Sequence, residues 1–131
     1  MTLRPAVYAC AAVAALAASR ALPATPTETI AVALTNFDFT PATIQMVHGR
    51  DYALTLSNRA SGGHNFAAPT FFAAATVAPA DRARIVDGTI EVPAGQSVTI
   101  HFVAPAAGRY KVRCTHTFHT MFGMKGAIVV T

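Results

Sequence analysis

Residues 108–131 read GRYKVRCTHTFHTMFGMKGAIVVT, with a cysteine, two histidines and two methionines between two segments that have the composition of β-strands. Cys114, His119 and Met124 follow one another at intervals of five residues. A soft thiolate, a borderline imidazole and a weak thioether form a ligand set that copper prefers. The spacing therefore predicts that one loop between two strands supplies the ligands of a copper ion.

The composition is that of a folded domain. The chain has 131 residues, which is enough for one domain with or without a processed leader. Charged residues make up 12% of the sequence and hydrophobic residues 53%. This balance excludes the disordered class and allows a buried core.

Residues 1–24 are predicted to be a secretory signal peptide. One arginine precedes an uncharged, alanine-rich run from Pro5 to Ala18, and small residues then offer cleavage after Ala21 or Ala24. The apolar run is shorter than the roughly 20 residues that a membrane-spanning helix needs. We therefore expect one domain over residues 25–131, periplasmic or otherwise exported, with no transmembrane anchor after cleavage.

The charge of the chain depends on this leader. Its removal takes away two arginines and leaves eight basic residues against six acidic ones, a net charge of about +2. The remaining Lys and Arg residues are scattered along the sequence and form no run. Because nucleic-acid binding needs a basic cluster, we expect no nucleic-acid partner.

The cysteine count also depends on the leader. Cys10 lies within residues 1–24, so residues 25–131 contain a single cysteine, Cys114, and cannot form an internal disulfide. A lone cysteine in an oxidising compartment is buried, catalytic or a metal ligand.

The rest of the chain reads as seven or eight short strands separated by turns, which predicts an all-β, Greek-key β-sandwich. The clearest strand is SVTIHFV at 97–103, in which polar and apolar residues alternate. Residues 69–87 differ, because their alanine-rich and charged segments favour short helix. We expect this helical excursion to cross between the sheets and to cap the sandwich without supplying ligands.

Three histidines lie upstream of the loop. His48 lies in a predicted turn and His101 on the polar face of its strand, so neither is expected at the site. His64 follows two glycines, which allow close backbone approach, and it begins a predicted strand. From these features alone, a ligand role and a structural role for His64 remain equally open.

Three parts of the sequence resemble the cupredoxins, the type 1 or blue-copper proteins related to plastocyanin and azurin. The first comprises NFDFTP at 36–41 and the run from Asn58 to Phe66, the second is VPAG at 92–95 with its following strand, and the third is 110–130. Together these parts span nearly all of residues 25–131. The resemblance implies a cupredoxin-like fold that holds one type 1 copper ion.

The resemblance also implies the ligands. Carried over by position, His64, Cys114 and His119 are the equatorial ligands, and Met124 is the weak axial ligand. A trigonal set of two imidazoles and one thiolate with a distant thioether suits both Cu(I) and Cu(II). The ligands of such a site then move little when the charge of the metal changes.

Two weaker matches surround the first histidine. Gly63 matches the position whose carbonyl approaches the metal in the azurin-like branch. Asn65 matches the residue that ties the strand of the first histidine to the cysteine loop, where it would hold the ligand geometry.

The loop contains a rival set of ligands, because His116 and Met121 have the same spacing as His119 and Met124. We prefer the later pair, since family loops leave more than one residue between the cysteine and the histidine. In addition, GMKG at 123–126 resembles the family's glycine-flanked axial methionine. His116 is then a surface histidine, a hydrogen-bond donor behind the ligands, an alternative ligand or part of a metal-entry path.

A single copper motif with its ligand positions filled predicts an electron carrier rather than an enzyme. We expect redox protein partners, such as a cytochrome or a copper or haem oxidoreductase, and a monomeric carrier. The resemblance suggests that electrons pass at His119, with Phe118, Met121 and Phe122 as an apolar docking surface. Packing of these three side chains within the loop is an equally open interpretation.

A second hypothesis is copper handling, in resistance or delivery. The surplus of His116 and Met121 favours it slightly, because spare soft ligands can pass a metal ion. A third, a structural module that binds no metal, requires the ligand set to be a coincidence.

Overall fold

The computed structural model describes residues 26–116 and 123–131. The predicted signal peptide, residues 1–24, lies outside these ranges. So do six residues of the predicted ligand loop, 117–122, which include Phe118, His119, Met121 and Phe122.

The described residues form two five-stranded sheets that face each other. Sheet I has the strand order β2-β1-β4-β8-β6, and sheet II has the order β3-β10-β9-β5-β7. Each sheet is mixed, because β1 runs parallel to β4 and β3 runs parallel to β10. The strands are β1 (Glu28–Thr35), β2 (Asp38–Thr40), β3 (Thr43–Met46), β4 (Asp51–Asn58), β5 (His64–Ala67), β6 (Thr76–Val77), β7 (Thr89–Val92), β8 (Ser97–Val103), β9 (Gly108–Arg113) and β10 (Lys125–Val130).

The core lies between the sheets and follows the two-residue period of the strands. In β8, Ile100 and Phe102 are buried while Ser97 and His101 are exposed, as the alternation predicted. Phe66 of β5 is fully buried and packs edge-on against a phenylalanine of β2, with ring centroids 5.5 Å apart. The predicted all-β sandwich is confirmed.

The structure has more strands than the seven or eight expected, since ten occur among the described residues. The difference comes from very short elements. β2 has three residues and β6 has two, and each is held by pairing with one strand of sheet I. Strands this short leave no periodic pattern in the sequence, so only their partners reveal them.

The predicted helical excursion is present and crosses the sandwich twice. An α-helix, α1 (Pro69–Ala74), follows β5 of sheet II, and a 3₁₀ helix (Pro79–Arg84) follows β6 of sheet I. Phe71 of α1 is buried and meets the ring of Phe102 from β8, with centroids 5.2 Å apart. In residues 26–116 and 123–131, no helix combines the length and apolar character needed to cross a membrane.

Gly126 allows β10 to lie close to the chain before β3. A Cβ atom at this position would lie 2.5 Å from the carbonyl oxygen of Ala42, closer than a methyl group can approach. The same carbonyl accepts a 2.8 Å hydrogen bond from the N–H of Ala127. Gly126 therefore allows the strand that follows the predicted ligand loop to join sheet II.

Two histidines are used structurally, away from the end of the sandwich that holds His64. The backbone N–H and ring Nδ1 of His101 both donate to Oδ2 of Asp81, at 2.9 and 2.8 Å, which fastens the 3₁₀ helix to β8. His48 Nδ1 lies 2.9 Å from the carbonyl oxygen of Pro105. The side-chain and backbone hydrogen bonds from His101 lower the pKa of Asp81.

We expect the contact between Asp81 and His101 to make the folding stability depend on pH in the acidic range. A carboxyl whose pKa is lower in the folded state stabilises the protein above its unfolded pKa of about 3.9, and this stability is lost as the pH falls through the folded pKa. Asp81→Asn should therefore lower the free energy of unfolding at pH 7, and the difference from wild type should shrink below about pH 4. Urea titrations of the apoprotein from pH 7 to pH 2.5 measure this.

Asp38→Asn provides the control, because it removes an exposed acidic charge on β2 without touching His101. Parallel pH profiles for wild type and Asp81→Asn, with a constant difference between them, would contradict the assignment.

Candidate metal centre

Three predicted ligands lie at the ends of neighbouring strands. His64 is the first residue of β5, Cys114 directly follows β9, and Met124 directly precedes β10. These three strands are adjacent in sheet II in the order β10-β9-β5. Because side chains alternate along a strand, His64 shares its face with buried Phe66 and Cys114 shares its face with buried Val112.

The structure brings His64 and Cys114 into contact. The Sγ atom of Cys114 lies 3.9 Å from Nδ1 of His64, and the two residues are 0% and 1% exposed. Metal–thiolate and metal–imidazole bonds of about 2.3 and 2.0 Å, meeting at a trigonal angle, place sulfur and nitrogen about 3.8 Å apart. The observed separation therefore fits one metal ion held by both atoms.

Met124 lies beside Cys114 across the base of the ligand loop. Met124 is fully buried, and its carbonyl oxygen accepts a 3.1 Å hydrogen bond from the N–H of Cys114. This bond joins the two ends of the loop and keeps the cysteine and the methionine at one level of the sandwich. His119 lies between them in sequence, within the residues that the structure does not describe.

A metal site with three His, Cys, Asp or Glu ligands is not complete within residues 26–116 and 123–131. Those ranges contain His64 and Cys114 of the predicted set, together with the thioether of Met124. The third predicted equatorial ligand, His119, lies outside these ranges.

Asn65 connects the strand of His64 to the cysteine loop. Its Oδ1 accepts a 2.8 Å hydrogen bond from the N–H of Thr115, and its Nδ2 donates to Oγ1 of Thr115 at 2.7 Å. Nδ2 also donates to Oε1 of Glu91 on β7, at 2.8 Å. Since Asn65 follows His64 and Thr115 follows Cys114, this side chain directly links the two segments that carry predicted ligands.

Glu91 extends this network to His116. One carboxylate oxygen accepts from Asn65, and the other lies 3.0 Å from Nε2 of His116. The ring of His116 lies nearly parallel to the ring of His64, with centroids 6.5 Å apart. A Cβ atom on Gly63 would lie 3.6 Å from the His116 ring, so His116 covers the backbone just before His64.

Asn58 shapes the loop that leads into His64. Its Nδ2 donates to the carbonyl oxygens of Gly62 and Val92, both at 2.9 Å, and its Oδ1 accepts from the N–H of Ala60 at 2.9 Å. Asn58 is only 3% exposed, so these bonds satisfy a buried amide and fix the entry to β5.

The sequence did not predict the hydrogen bonds that Glu91 and Asn58 make around His64. Glu91 alternates with Ile90 and Val92, which shows that it points away from the core, but the alternation does not reveal which strand lies beside it. Pairing of Asn65 with Glu91 across β5 and β7 supplies that information. For Asn58, the signal was a polar residue at the end of a strand, four residues before Gly62.

Residues 6–130 match the family model described as a cupredoxin-like domain. The chain belongs to the cupredoxin-like family. No curated protein matches the sequence of this cupredoxin at a significant level.

Solved structures of blue-copper proteins share its fold. The reduced auracyanin of Roseiflexus castenholzii has a TM-score of 0.58 at 23% identity, covering 79% of this chain and 96% of that one. Auracyanin A of Chloroflexus aurantiacus has a TM-score of 0.59 at 20% identity, covering 81% and 100%. The blue copper oxidase of Nitrosomonas europaea has a TM-score of 0.61 at 17% identity, covering 80% of this cupredoxin and 39% of that chain.

We expect Asn65 to stabilise the folded cupredoxin before any metal binds. Asn65→Ala removes three hydrogen bonds made by a buried side chain, so the free energy of unfolding of the apoprotein should fall by about 2–4 kcal/mol. Guanidinium titration at pH 7 measures this change.

Thr115→Val is the matched control, because it removes the hydroxyl but keeps the N–H that donates to Asn65. It should cost about 1 kcal/mol. Equal losses in the two variants would show that Asn65 does not link the segments as described.

Proposed function

We propose that this cupredoxin binds one type 1 copper ion through His64, Cys114, His119 and Met124 and carries single electrons between redox proteins. The observation that supports this most strongly is the contact of the Cys114 thiol with the His64 ring in a buried position. Copper, when bound, supplies a one-electron couple between Cu(II) and Cu(I) that a thiolate and imidazoles accommodate.

The chain's own contribution is to hold its ligands in one arrangement. Asn65 keeps the segments of His64 and Cys114 together, and the Cys114–Met124 backbone bond closes the loop that carries the other two ligands. Outer hydrogen bonds of this kind orient ligands and limit their movement. A site that moves little exchanges electrons without a large reorganisation of its surroundings.

The contacts of His116 support the later pair of loop ligands, His119 and Met124. His116 Nε2 is engaged by Glu91, and the His116 ring is stacked beside His64 at a centroid distance of 6.5 Å. We infer that His116 acts behind the first histidine rather than as the second imidazole ligand. Under this proposal Met121 is not a ligand, and Gly63 and Asn65 surround the first histidine.

The burial of the site supports a carrier and not an enzyme. His64 and Cys114 are almost inaccessible, which suits transfer of an electron through the protein better than binding of a substrate. We propose that the protein is exported after removal of residues 1–24, works as a monomer in the periplasm or a similar compartment, and exchanges electrons with a cytochrome or a copper or haem oxidoreductase. Phe118 and Phe122 remain the predicted apolar docking residues.

Copper handling is the second candidate. The half-buried side chain of His116 beside His64 favours it, because a nitrogen donor at the rim can pass an ion inward. We rank it second, since Glu91 already engages that ring. Transfer of copper to a partner at unchanged oxidation state would favour delivery, whereas rapid electron exchange with a cytochrome would favour the carrier.

Copper titration tests the site. One equivalent of Cu(II) added to apoprotein of residues 25–131 should give an intense thiolate-to-copper band and narrow copper hyperfine splitting in EPR. Cys114→Ser should abolish the band completely, because the thiolate is its source. His48→Gln, which replaces a histidine at the opposite end of the sandwich, should leave the spectra unchanged. A plain tetragonal spectrum, or colour in Cys114→Ser, would refute a type 1 site.

A pair of methionine variants tests the choice of loop ligands. Met124→Leu should raise the reduction potential, because loss of a weak thioether ligand destabilises Cu(II) relative to Cu(I). Met121→Leu should leave the visible spectrum and the potential nearly unchanged. Voltammetry of the two copper-loaded variants measures the difference, and the reverse result would assign the axial position to Met121.

A further inference from the structure

Four basic side chains lie on the outer face of sheet II. Arg109, Lys111 and Arg113 occupy alternate positions of β9 and are exposed, and Lys125 lies directly opposite Arg113 on β10. We call these four residues the basic stripe. Along β9 it extends about 13 Å, since a strand rises about 3.3 Å per residue.

The stripe corrects the expectation that the basic residues are scattered. RYKVR at 109–113 contains only three charges, but the period of a strand directs all three to one face, and sheet pairing adds Lys125. These four residues are half of the eight basic residues in 25–131. The remaining residues of 25–131 then carry four basic and six acidic side chains, a net charge of about −2.

Protection of a sheet edge does not explain the stripe. Exposed lysines and arginines often block the pairing of edge strands. β9 and β10, however, are interior strands of sheet II, flanked by β5 and β3. Like charges placed directly opposite each other destabilise a sheet, and Arg113 faces Lys125 in this way. The stripe therefore destabilises the fold slightly.

No acidic side chain within residues 26–116 and 123–131 forms an ion pair with the stripe. The acidic residue nearest in the strand order is Glu91, on β7, two strands from β9. Its two carboxylate oxygens are occupied by Asn65 and His116. The positive charge of the stripe is thus directed to the solvent.

The stripe borders the candidate metal centre. Arg113 directly precedes Cys114, and Lys125 directly follows Met124. The alternation that turns Cys114 inward turns Arg113 outward. A molecule bound at this end of the stripe therefore lies over the strands that hold two of the proposed ligands.

The surface between these charges is a shallow groove with small side chains. Ala42, Thr43 and Ala127 line it together with the four basic residues. Small residues leave room for carboxylate side chains of another protein to reach the cations. We propose that the basic stripe is a docking surface for the acidic face of a protein redox partner.

That the partner is a redox protein rests on the proposed electron-carrier function. The positive charge of the face does not depend on that proposal. Complementary charge raises the rate of encounter and orients the partner, and salt weakens both effects. Because the remainder of 25–131 is net negative, an acidic partner is repelled elsewhere and attracted at the stripe. The stripe thus directs that partner to the side of the sandwich that includes the ligand strands.

A binding experiment without copper tests the face separately from the proposed function. Hexaglutamate is added to ¹⁵N-labelled apoprotein at low salt, and chemical-shift changes are mapped. We expect the shifts to centre on β9 and β10, and the affinity to fall about tenfold in Lys111→Glu and by a smaller factor in Lys111→Gln. Arg50→Glu makes the same change of net charge beside Glu28, outside the stripe and at the end of the sandwich away from His64, and should weaken binding less than Lys111→Glu.

Shifts spread over the whole surface, or equal losses in Lys111→Glu and Arg50→Glu, would overturn the proposal. So would tight association of the protein with phosphatidylglycerol vesicles in the absence of peptide binding, since that outcome assigns the stripe to lipid headgroups.

A kinetic experiment connects the face to electron transfer. The reduced, copper-loaded protein gives one electron to hexacyanoferrate(III), which becomes hexacyanoferrate(II), and stopped-flow absorbance follows the rate. This rate should fall several-fold more in Lys111→Glu than in Arg50→Glu and should fall with added salt. Peptide binding at the stripe without any electron exchange would refute the carrier and leave the face intact. Electron exchange that is equally affected by both variants would refute the stripe alone.

Discussion

The pairing of β9 with β10 is the constraint on which the rest of the structure depends. These strands run antiparallel in register from Arg113 opposite Lys125 to Gly108 opposite Val130. Their ends place Cys114 and Met124 side by side, and the backbone hydrogen bond between these two residues closes the loop proposed to carry the ligands. Gly126 permits β10 to approach the chain before β3, so a methyl group there would displace the strand that follows the loop.

Hydrogen bonds of residues that are not proposed ligands then hold the segment of His64 against β9 and β10. Asn65 bonds to the N–H and the hydroxyl of Thr115, and Glu91 bonds to Asn65 and His116. Asn58 satisfies three backbone groups in and around the loop that precedes β5. Such bonds contribute about 1 kcal/mol each, so their main effect is on geometry: the fold by itself positions the proposed ligands His64 and Cys114.

One alternation along β9 serves two purposes. Val112 and Cys114 point into the sandwich, where apolar packing excludes water from the thiol, while Lys111 and Arg113 point out of it. The strand that precedes the proposed ligand Cys114 therefore presents charge on its other face, close to that residue. This arrangement places the proposed metal site next to a charged surface without any additional structural element.

The chemistry of the candidate site could be recognised from the residues themselves. Cys114, His119 and Met124 have ligand side chains at regular spacing, and the alternation in 97–103 indicated a sandwich, because both signals are local. The family model confirmed the membership that the resemblance suggested. The very short strands, such as Thr76–Val77, left no such signal.

Contacts between residues distant in the chain were decided only by the tertiary structure. His64 and Cys114 are fifty residues apart and touch because β5 and β9 are neighbours, and Glu91 reaches Asn65 because β7 pairs with β5. Arg113 and Lys125 form one charged face for the same reason. A sequence reveals which way a side chain points along its strand, but strand order and register determine what lies beside it.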